Sequence, residues 1–413
     1  MKMNEIYKRE NYLRKIRGFY HITDIIKVII GIKESGKSCI LMSIIEELIA
    51  SGIKNENIIY IKLDSREYRN VQSKDDLDKI ISSRIASSEN YYLFIDEIQN
   101  VEGFEEVIDA YRNDGNVSIF ITGSNSYLLS GNLVTKLSGR KIEIEVLPLT
   151  FFEYVDMKKF FNKEVNSNIY LEFEAYIRNG GFPGTIMLDN DDDKRRYTKN
   201  ILDDIFEKDI KTNEKIKNTE MFKEVQNYII NNFGAIVSPS SISKYYEAQN
   251  INIDIRTIER YINILENAKI IIPCELFDIK SKRSLSGEKK YYLADLSLYF
   301  AFNTDNRINY GPVLENVLHN YLISKDYSLS VGRIGKLECD FIARKNMDNY
   351  YYLQVSKNID DVKTEEREYK PFYEIKDFYP KYLFVLDFTL QKNVNGIHNV
   401  NIVDFIYNNE DLI

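Results

Sequence analysis

The sequence of 413 residues contains no tryptophan, three cysteines, three histidines and seven prolines. Cys39, Cys274 and Cys339 are too far apart for a disulfide framework and form no C-x-x-C pair, which excludes a disulfide-stapled fold and points to a reducing compartment. His21, His319 and His398 are equally scattered, so a zinc centre of His and Cys ligands is excluded. With 18 glycines and few prolines, the chain is neither collagen-like nor mainly linker. No apolar run reaches the ~20 residues that span a bilayer, and the stretch from Ile25 to Ile32 is broken by Lys27. The opening MKMNEIYKRENYLRKIRGF lacks the apolar core and cleavage site of a signal peptide. Positive charge is also short: 55 Lys and Arg against 63 Asp and Glu leave a net charge of −8. A globally basic nucleic-acid coat is therefore excluded, whereas a local basic patch is not. Together these absences predict a cytoplasmic globular protein with no membrane segment.

What is present is enough apolar residue, 44% of the chain, to build two or three cores at about 150 residues per domain. From residue 25 to about 146, the β-type runs IIKVII, NIIYIKL, YYLFID, VSIFIT and KIEIEV alternate with helical patterns. That alternation predicts βαβ units and a mostly parallel sheet. Between the first two runs, Ile40, Leu41, Ile44, Ile45, Leu48 and Ile49 recur at helical spacing. Residues 150 to 233 read as helices broken by the turn cluster Gly180 to Gly184. Ser238–Pro239 and Asp254 are helix starts, and the strand-like IIIPCEL and KYYLA that follow complete a helix-turn-helix and hairpin, the pattern of a winged helix. Beyond Gly311–Pro312 a helix, three strands, a charged helix and a strand predict a further α/β domain.

Gly31-Ile32-Lys33-Glu34-Ser35-Gly36-Lys37-Ser38, followed by Cys39, fits G-x-x-x-x-G-K-[ST] after an apolar strand and at the head of an amphipathic helix. Small residues let successive backbone N–H groups curl around a phosphate, and the helix N-terminus adds its partial positive charge. In that reading Lys37 reaches the β- and γ-phosphates of ATP and Ser38 coordinates Mg2+. The run ending in Asp96-Glu97 places two carboxylates at the carboxyl end of a strand, where ligands of parallel sheets lie. Asp96 is the expected Mg2+ partner and Glu97 the group that orients or deprotonates water. Ser124 or Asn125, just after the fourth strand, is a candidate γ-phosphate sensor or a helix cap. Arg140 is a candidate arginine finger, acting in its own subunit or in a neighbour of a homo-oligomer, or a plain surface arginine.

Taken in order, GIKESGKS, the DEIQN box, TGSNSYLLSGNL, LSGR, PLTFFEY, the GGFP turn, RTIERYINILENAKII, KKYYLADLSL, GPVLENVL, ECDFIA, LQVS and YPKYLFVLD resemble the prokaryotic AAA-type ATPases with an AAA_14 core and a C-terminal DUF4143 domain. The resemblance implies ATP binding and hydrolysis, with a lid formed by the helices around GGFP. The expected architecture is an α/β P-loop NTPase core over 1–150, lid and connecting helices over 151–233, a winged helix over 234–305 and a nuclease-like α/β domain over 306–413.

On the second helix of the winged-helix pattern Arg256, Thr257, Arg260 and Asn263 lie off the apolar face, and the hairpin carries Lys280, Lys282, Arg283, Lys289 and Lys290. These suit DNA phosphates, although such domains also dock proteins. The order Glu315, Glu338-Cys339-Asp340, Gln354-Val355-Ser356 resembles a PD-(D/E)xK nuclease core in which Gln354 replaces an acid and Ser356 the lysine. Lys357 points to the wrong face of its strand to substitute, and Lys336 is a candidate displaced lysine. A non-cutting domain is the expectation. Three classes follow: an ATPase acting on DNA, an ATP-gated nuclease, and a slow signalling switch that binds protein.

Overall fold

The computed structural model describes residues 5–85, 89–124, 139–303, 307–345, 349–359, 362–386 and 393–413. The chain forms two compact units, Met1–Leu147 with Asn267–Lys269, and Pro148–Glu266 with Ile270–Ile413.

In the first unit five strands, β1 (Ile26–Ile30), β2 (Ile58–Lys62), β3 (Tyr91–Asp96), β4 (Val117–Gly123) and β5 (Lys141–Glu145), lie in the order β2-β3-β4-β1-β5. All four pairings are parallel, as the strand and helix alternation predicts. The central strands β1, β3 and β4 are buried along their whole length, which explains why they read as continuous rather than alternating apolar runs. On one face Val28, Ile30, Leu93 and Ile95 pack with Leu77 and Ile81 of α3 (Lys74–Ser82) and Val107 and Ile108 of α4 (Phe104–Asp114). On the other, Ile29, Phe94 and Phe120 pack with Tyr12, Leu13 and Ile16 of α1 (Glu10–Ile16) and Ile40, Leu41 and Ile44 of α2 (Lys37–Ala50). Lys27 is fully buried in this core and burial pushes it down to about 7; its Nζ donates to Ile22 O, Ile25 O and Ser118 Oγ at 2.6, 3.0 and 2.7 Å.

The second unit begins with helices that include α5 (Phe151–Phe160), α6 (Ile169–Asn179), α7 (Asp191–Asp204) and α8 (Thr219–Asn231), with a π-helical turn, Ile205–Ile210, continuing α7. Then come β6 (Ile236–Val237), α9 (Pro239–Glu247), α10 (Ile255–Asn267) and the hairpin of β7 (Ile271–Asp278) and β8 (Arg283–Leu293). Ser238 caps α9 by accepting Ser241 N, and Asp254 accepts Arg256 N at the head of α10, so both helix starts are where their sequence signals lie. The remainder is α11 (Tyr310–Ser324), β9 (Ser328–Ile334), β10 (Leu337–Lys345), β11 (Asn349–Val355), α12 (Val362–Glu374), β12 (Lys381–Val385), β13 (Asn393–Val394), β14 (Ile397–Asn401) and α13 (Ile402–Tyr407). These strands form one nine-stranded sheet in the order β13-β14-β12-β11-β10-β9-β7-β8-β6. The hairpin therefore does not stand apart: β7 runs parallel to β9, Leu276 opposite Val331 and Asp278 opposite Arg333, and the winged-helix pattern shares its sheet with the segment after it.

The GGFP turn follows α6 and is fixed by Asp295. Gly180 has φ +74 and a side chain there would lie 1.8 Å from Asp295 Oδ1, so only glycine fits. Gly181 N donates to Asp295 Oδ2 at 2.7 Å, and Ser297 donates to Oδ1 through both its N and its Oγ. Burial pushes the Asp295 carboxyl up to about 6, against the pull of its Ser297 and Gly181 hydrogen bonds. Between the ordinary value of 3.8 and about 6 the folded state holds a proton that the unfolded chain has released, so stability from this group falls as pH rises through that window. Relative to Asp295→Asn, the wild type should lose up to about 3 kcal/mol between pH 4 and 7. Denaturant midpoints of both proteins at several pH values check this; buried His319 titrates in the opposite sense but is common to both, so it cancels in the difference.

Candidate nucleotide-binding site

The phosphate loop starts where β1 stops. Gly31 has φ +148 and a Cβ there would sit 2.1 Å from Val146 O, which leaves no room for a side chain. Gly36, at φ +96, is the N-cap of α2, so the loop opens onto a helix N-terminus and its unpaired N–H groups. Glu34, at φ +64, takes the left-handed turn between them and is exposed. Ile32 is buried, Lys33 and Ser38 half-buried and Cys39 exposed. Lys37 is 4% exposed and folds back on the loop, its Nζ 3.1 Å from both Gly31 O and Ile32 O. Ser35 is fully buried, and among the described residues its Oγ has no hydrogen-bond partner. A buried hydroxyl without a partner is uncommon, and this one lies inside a glycine-rich loop whose backbone can curl around a phosphate.

Arg9 holds this loop from below, its Nη1 donating to Ser35 O at 3.0 Å and to Leu147 O at 2.7 Å. The guanidinium lies 4.5 Å from the centre of the Tyr12 ring, and Tyr12 Oη accepts Leu147 N. Sequence reading misses this arginine, which sits in a charged N-terminal stretch; the one signal pointing to it is the helical spacing of Tyr12, Leu13 and Ile16 behind it.

The carboxylates stand at the same edge of the sheet. Ile95 pairs with Ile121, which sets Asp96 beside Thr122. Asp96 is fully buried; Oδ1 accepts Thr122 Oγ1 at 2.5 Å and Oδ2 accepts Tyr60 Oη at 3.1 Å. Burial, then the Asp96 charge, raises the Tyr60 phenol, so it stays a donor. Glu97 leaves the strand at φ +58 and its N donates to the same Thr122 Oγ1 at 3.0 Å. Gln99 Nε2 lies 2.5 Å from Glu97 Oε2 and 3.2 Å from Ser124 Oγ, linking the two strand ends; sequence reading misses Gln99 too. Asn125 lies outside the described residues. The hydroxyl of Ser38 and the carboxylate of Asp96 are hard oxygen donors of the kind Mg2+ takes. Among the described residues no cluster of three or more His, Cys, Asp or Glu is placed to hold a metal.

Arg140 is exposed, and its carbonyl accepts Ile26 N at 2.9 Å as β1 begins. It therefore stands at the amino edge of the sheet, one strand length from the phosphate loop, or roughly 17 Å at ~3.3 Å per residue. Its own loop is out of reach, which leaves a neighbouring subunit or solvent.

In the second unit, Lys280, Lys282, Arg283 and Arg256 are exposed. Arg260 pairs with Glu214 at 2.9 Å, and Lys289 lies 3.9 and 3.8 Å from Glu266 and Glu275. The expectation that Lys290 faces a nucleic acid is overturned: its side chain is 5% exposed and its Nζ is 2.8 Å from both Glu315 and Glu338. Burial works to discharge Lys290, but Glu315, Asp340 and Glu338 outweigh it and keep the ammonium charged. Burial, with Glu315 beside it, pushes the Asp340 carboxyl well up, Lys290 opposing. Asp340 Oδ2 accepts Val355 N, Asp340 N donates to Gln354 Oε1, and Gln354 Nε2 donates to Glu368 Oε2. Ser356 Oγ is engaged by Asn358 O, Lys357 lies over the Tyr310 ring and Lys336 is exposed.

Residues 23–155 match the family profile of an AAA domain, AAA_14. Residues 170–307 match a domain of unknown function, DUF8612, which overturns the expected DUF4143 assignment. The motifs behind that expectation, such as YYLADLSL and GPVLENVL, are rich in core residues, among them Tyr292, Leu293, Leu298, Val313, Leu314 and Val317, and so report packing more than kinship. Among the described residues no helix is long and apolar enough to cross a membrane. Crystallised Cdc6p from Pyrobaculum aerophilum aligns with 77% of this chain and 97% of its own at 10% identity and a TM-score of 0.33. An uncharacterized protein from Methanocaldococcus jannaschii, MJ1544, is 29% identical over 90% of this chain and 84% of its own. An uncharacterized protein from Haemophilus influenzae is 36% identical over 400 residues, 96% of this chain and 98% of its own. With a relative matched over nearly its whole length and an AAA domain at residues 23–155, the chain belongs to the same family as this Haemophilus influenzae protein and carries an AAA domain.

Proposed function

We propose that this protein is an Mg2+-dependent ATPase that uses its nucleotide cycle to rearrange DNA or a DNA-bound partner in the cytoplasm. The observation that carries the reading is the orphaned Ser35 hydroxyl inside the phosphate loop, on the sheet edge where Asp96 and Glu97 end β3. Gly31, Ile32, Lys33, Glu34, Ser35, Gly36, Lys37, Ser38 and Cys39 form the nucleotide cradle, and Lys37 turns from its loop carbonyls to the β- and γ-phosphates. Ser38 and Asp96 would hold Mg2+, which would supply charge neutralisation on the phosphates. Glu97 orients the water and takes its proton, Ser124 or Asn125 senses the γ-phosphate, and Arg140 serves a neighbouring subunit. The exposed cations Arg256, Lys280, Lys282 and Arg283 favour DNA as the partner. The nuclease alternative is disfavoured by the Lys290 ammonium, which already neutralises the carboxylates that a metal would need.

Lys37→Ala should abolish ATP binding and hydrolysis together, whereas Glu97→Gln should bind ATP normally and lose at least about 100-fold in kcat. Nucleotide titration and phosphate release on purified variants check both. For Arg140, a mixture of inactive Arg140→Ala and Glu97→Gln subunits should regain hydrolysis, since an intact arginine from one can meet an intact glutamate of the other. Normal turnover of Arg140→Ala alone would reduce it to a surface charge. Replacing Lys280, Lys282 and Arg283 by serine should weaken duplex binding alike on unrelated sequences, flattening the plot of log affinity against log salt by about 0.9 for each phosphate no longer neutralised. Wild type that fails to bind DNA at low salt, with or without ATP, would instead assign these cations to a protein partner.

A further inference from the structure

We infer that Gln99 is a positioning residue for hydrolysis: its amide nitrogen fixes the Glu97 carboxylate to Ser124. The inference rests on the ATPase reading and deepens it at the same site.

The local backbone is built for this contact. Glu97 takes the left-handed conformation as the chain leaves β3, at φ +58, a region that residues with a Cβ adopt rarely and at some strain. The turn Ile98–Asn100 follows at once, with Asn100 N donating to Glu97 O and fully buried Ile98 as its anchor. That turn brings residue 99 back under residue 97, where Nε2 meets Glu97 Oε2 at 2.5 Å and Ser124 Oγ at 3.2 Å. Since the Thr122 hydroxyl already pins Glu97 N, the glutamate is held at its backbone by one strand-end group and at its carboxylate by another.

The other half of the amide is unused. Gln99 Oε1 is buried, and among the described residues it has no hydrogen-bond partner. A glutamine whose nitrogen is engaged twice cannot flip to satisfy its oxygen without giving up both hydrogen bonds. The orientation of the amide is therefore fixed, with its nitrogen toward Glu97 and Ser124. Held this way, Glu97 is set to take a proton from a water that attacks in line. On hydrolysis the water oxygen bonds to the γ-phosphorus as the bond from that phosphorus to the β,γ-bridging oxygen breaks. ADP leaves with the electron pair of that bond, and Glu97 receives the proton of the water.

The test uses the full-length protein and Gln99→Leu, which keeps the size of the side chain and removes the amide. Turnover should fall roughly 10- to 100-fold through loss of alignment, with ATP affinity, KM and thermal midpoint unchanged. In single-turnover assays Glu97→Gln combined with Gln99→Leu should be no slower than Glu97→Gln alone, because Gln99 acts through the Glu97 carboxylate. Wild-type kcat in Gln99→Leu, a fall in ATP affinity matching the fall in rate, or losses that multiply in the double variant would each overturn the inference. Slow Glu97→Gln beside fast Gln99→Leu removes Gln99 alone, whereas equal hydrolysis by wild type and Glu97→Gln removes the role of Glu97 on which the inference rests. A wild type that hydrolyses no ATP overturns both.

Discussion

One hydroxyl organises the candidate catalytic edge. Thr122 Oγ1 donates to Asp96 Oδ1 and accepts Glu97 N, so a single atom on β4 sets both acidic residues at the end of β3. The carboxylates next to it are adjacent in sequence yet have different surroundings: Asp96 is enclosed by hydroxyl donors, whereas Glu97 is turned out of the strand into a left-handed conformation. The acid proposed for the metal and the acid proposed for the water are thereby separated by backbone geometry. The separation depends on β3 and β4 being neighbours in register, and that depends on the two apolar layers that bury both strands. Packing far from the phosphates thus decides where the chemistry can occur.

Local patterns were legible in the sequence. The strand runs, the GIKESGKS loop, the DE pair and both helix starts of the winged-helix pattern depend on residues within a few positions of one another, and each is found where its signal lies. What was not legible depends on distant partners. Arg9 reaches Leu147 across 138 residues, and Gly181 reaches Asp295 across 114; neither arginine nor aspartate has a local feature that announces this. Gln99 is close in sequence to Glu97, but its value comes from Ser124, 25 residues on. Lys290 was read among the wing cations because its neighbours are charged, yet a strand puts successive residues on opposite faces. Lys289 stays at the surface and Lys290 goes inside.

That inward lysine also explains why the winged-helix pattern is not separable from the segment after it. Lys290 of β8 meets Glu315 of α11 and Glu338 of β10, while Tyr292 of the same strand donates to Glu315. Removing one partner of such a buried set leaves an uncompensated charge, so the hairpin and the segment after it stand or fall together. The continuity of β7 with β9 says the same in hydrogen bonds. A movement of the hairpin during a nucleotide cycle would therefore carry the whole nine-stranded sheet.

Arg140 and the phosphate loop occupy opposite edges of one parallel sheet, and this has a bearing on symmetry. A two-fold dimer joins a surface to itself, so it can unite a donor and an acceptor only when both lie on the same patch. Opposite edges face opposite ways. An arginine lent to a neighbour from the amino edge must enter a site on the carboxyl edge, and that neighbour must in turn lend its own to a third copy. The contact is head-to-tail, and its repetition ends in a closed ring or an open helix of subunits. In such an assembly every site but those at a free end is built by two chains, and the number of competent sites follows how far the assembly has grown.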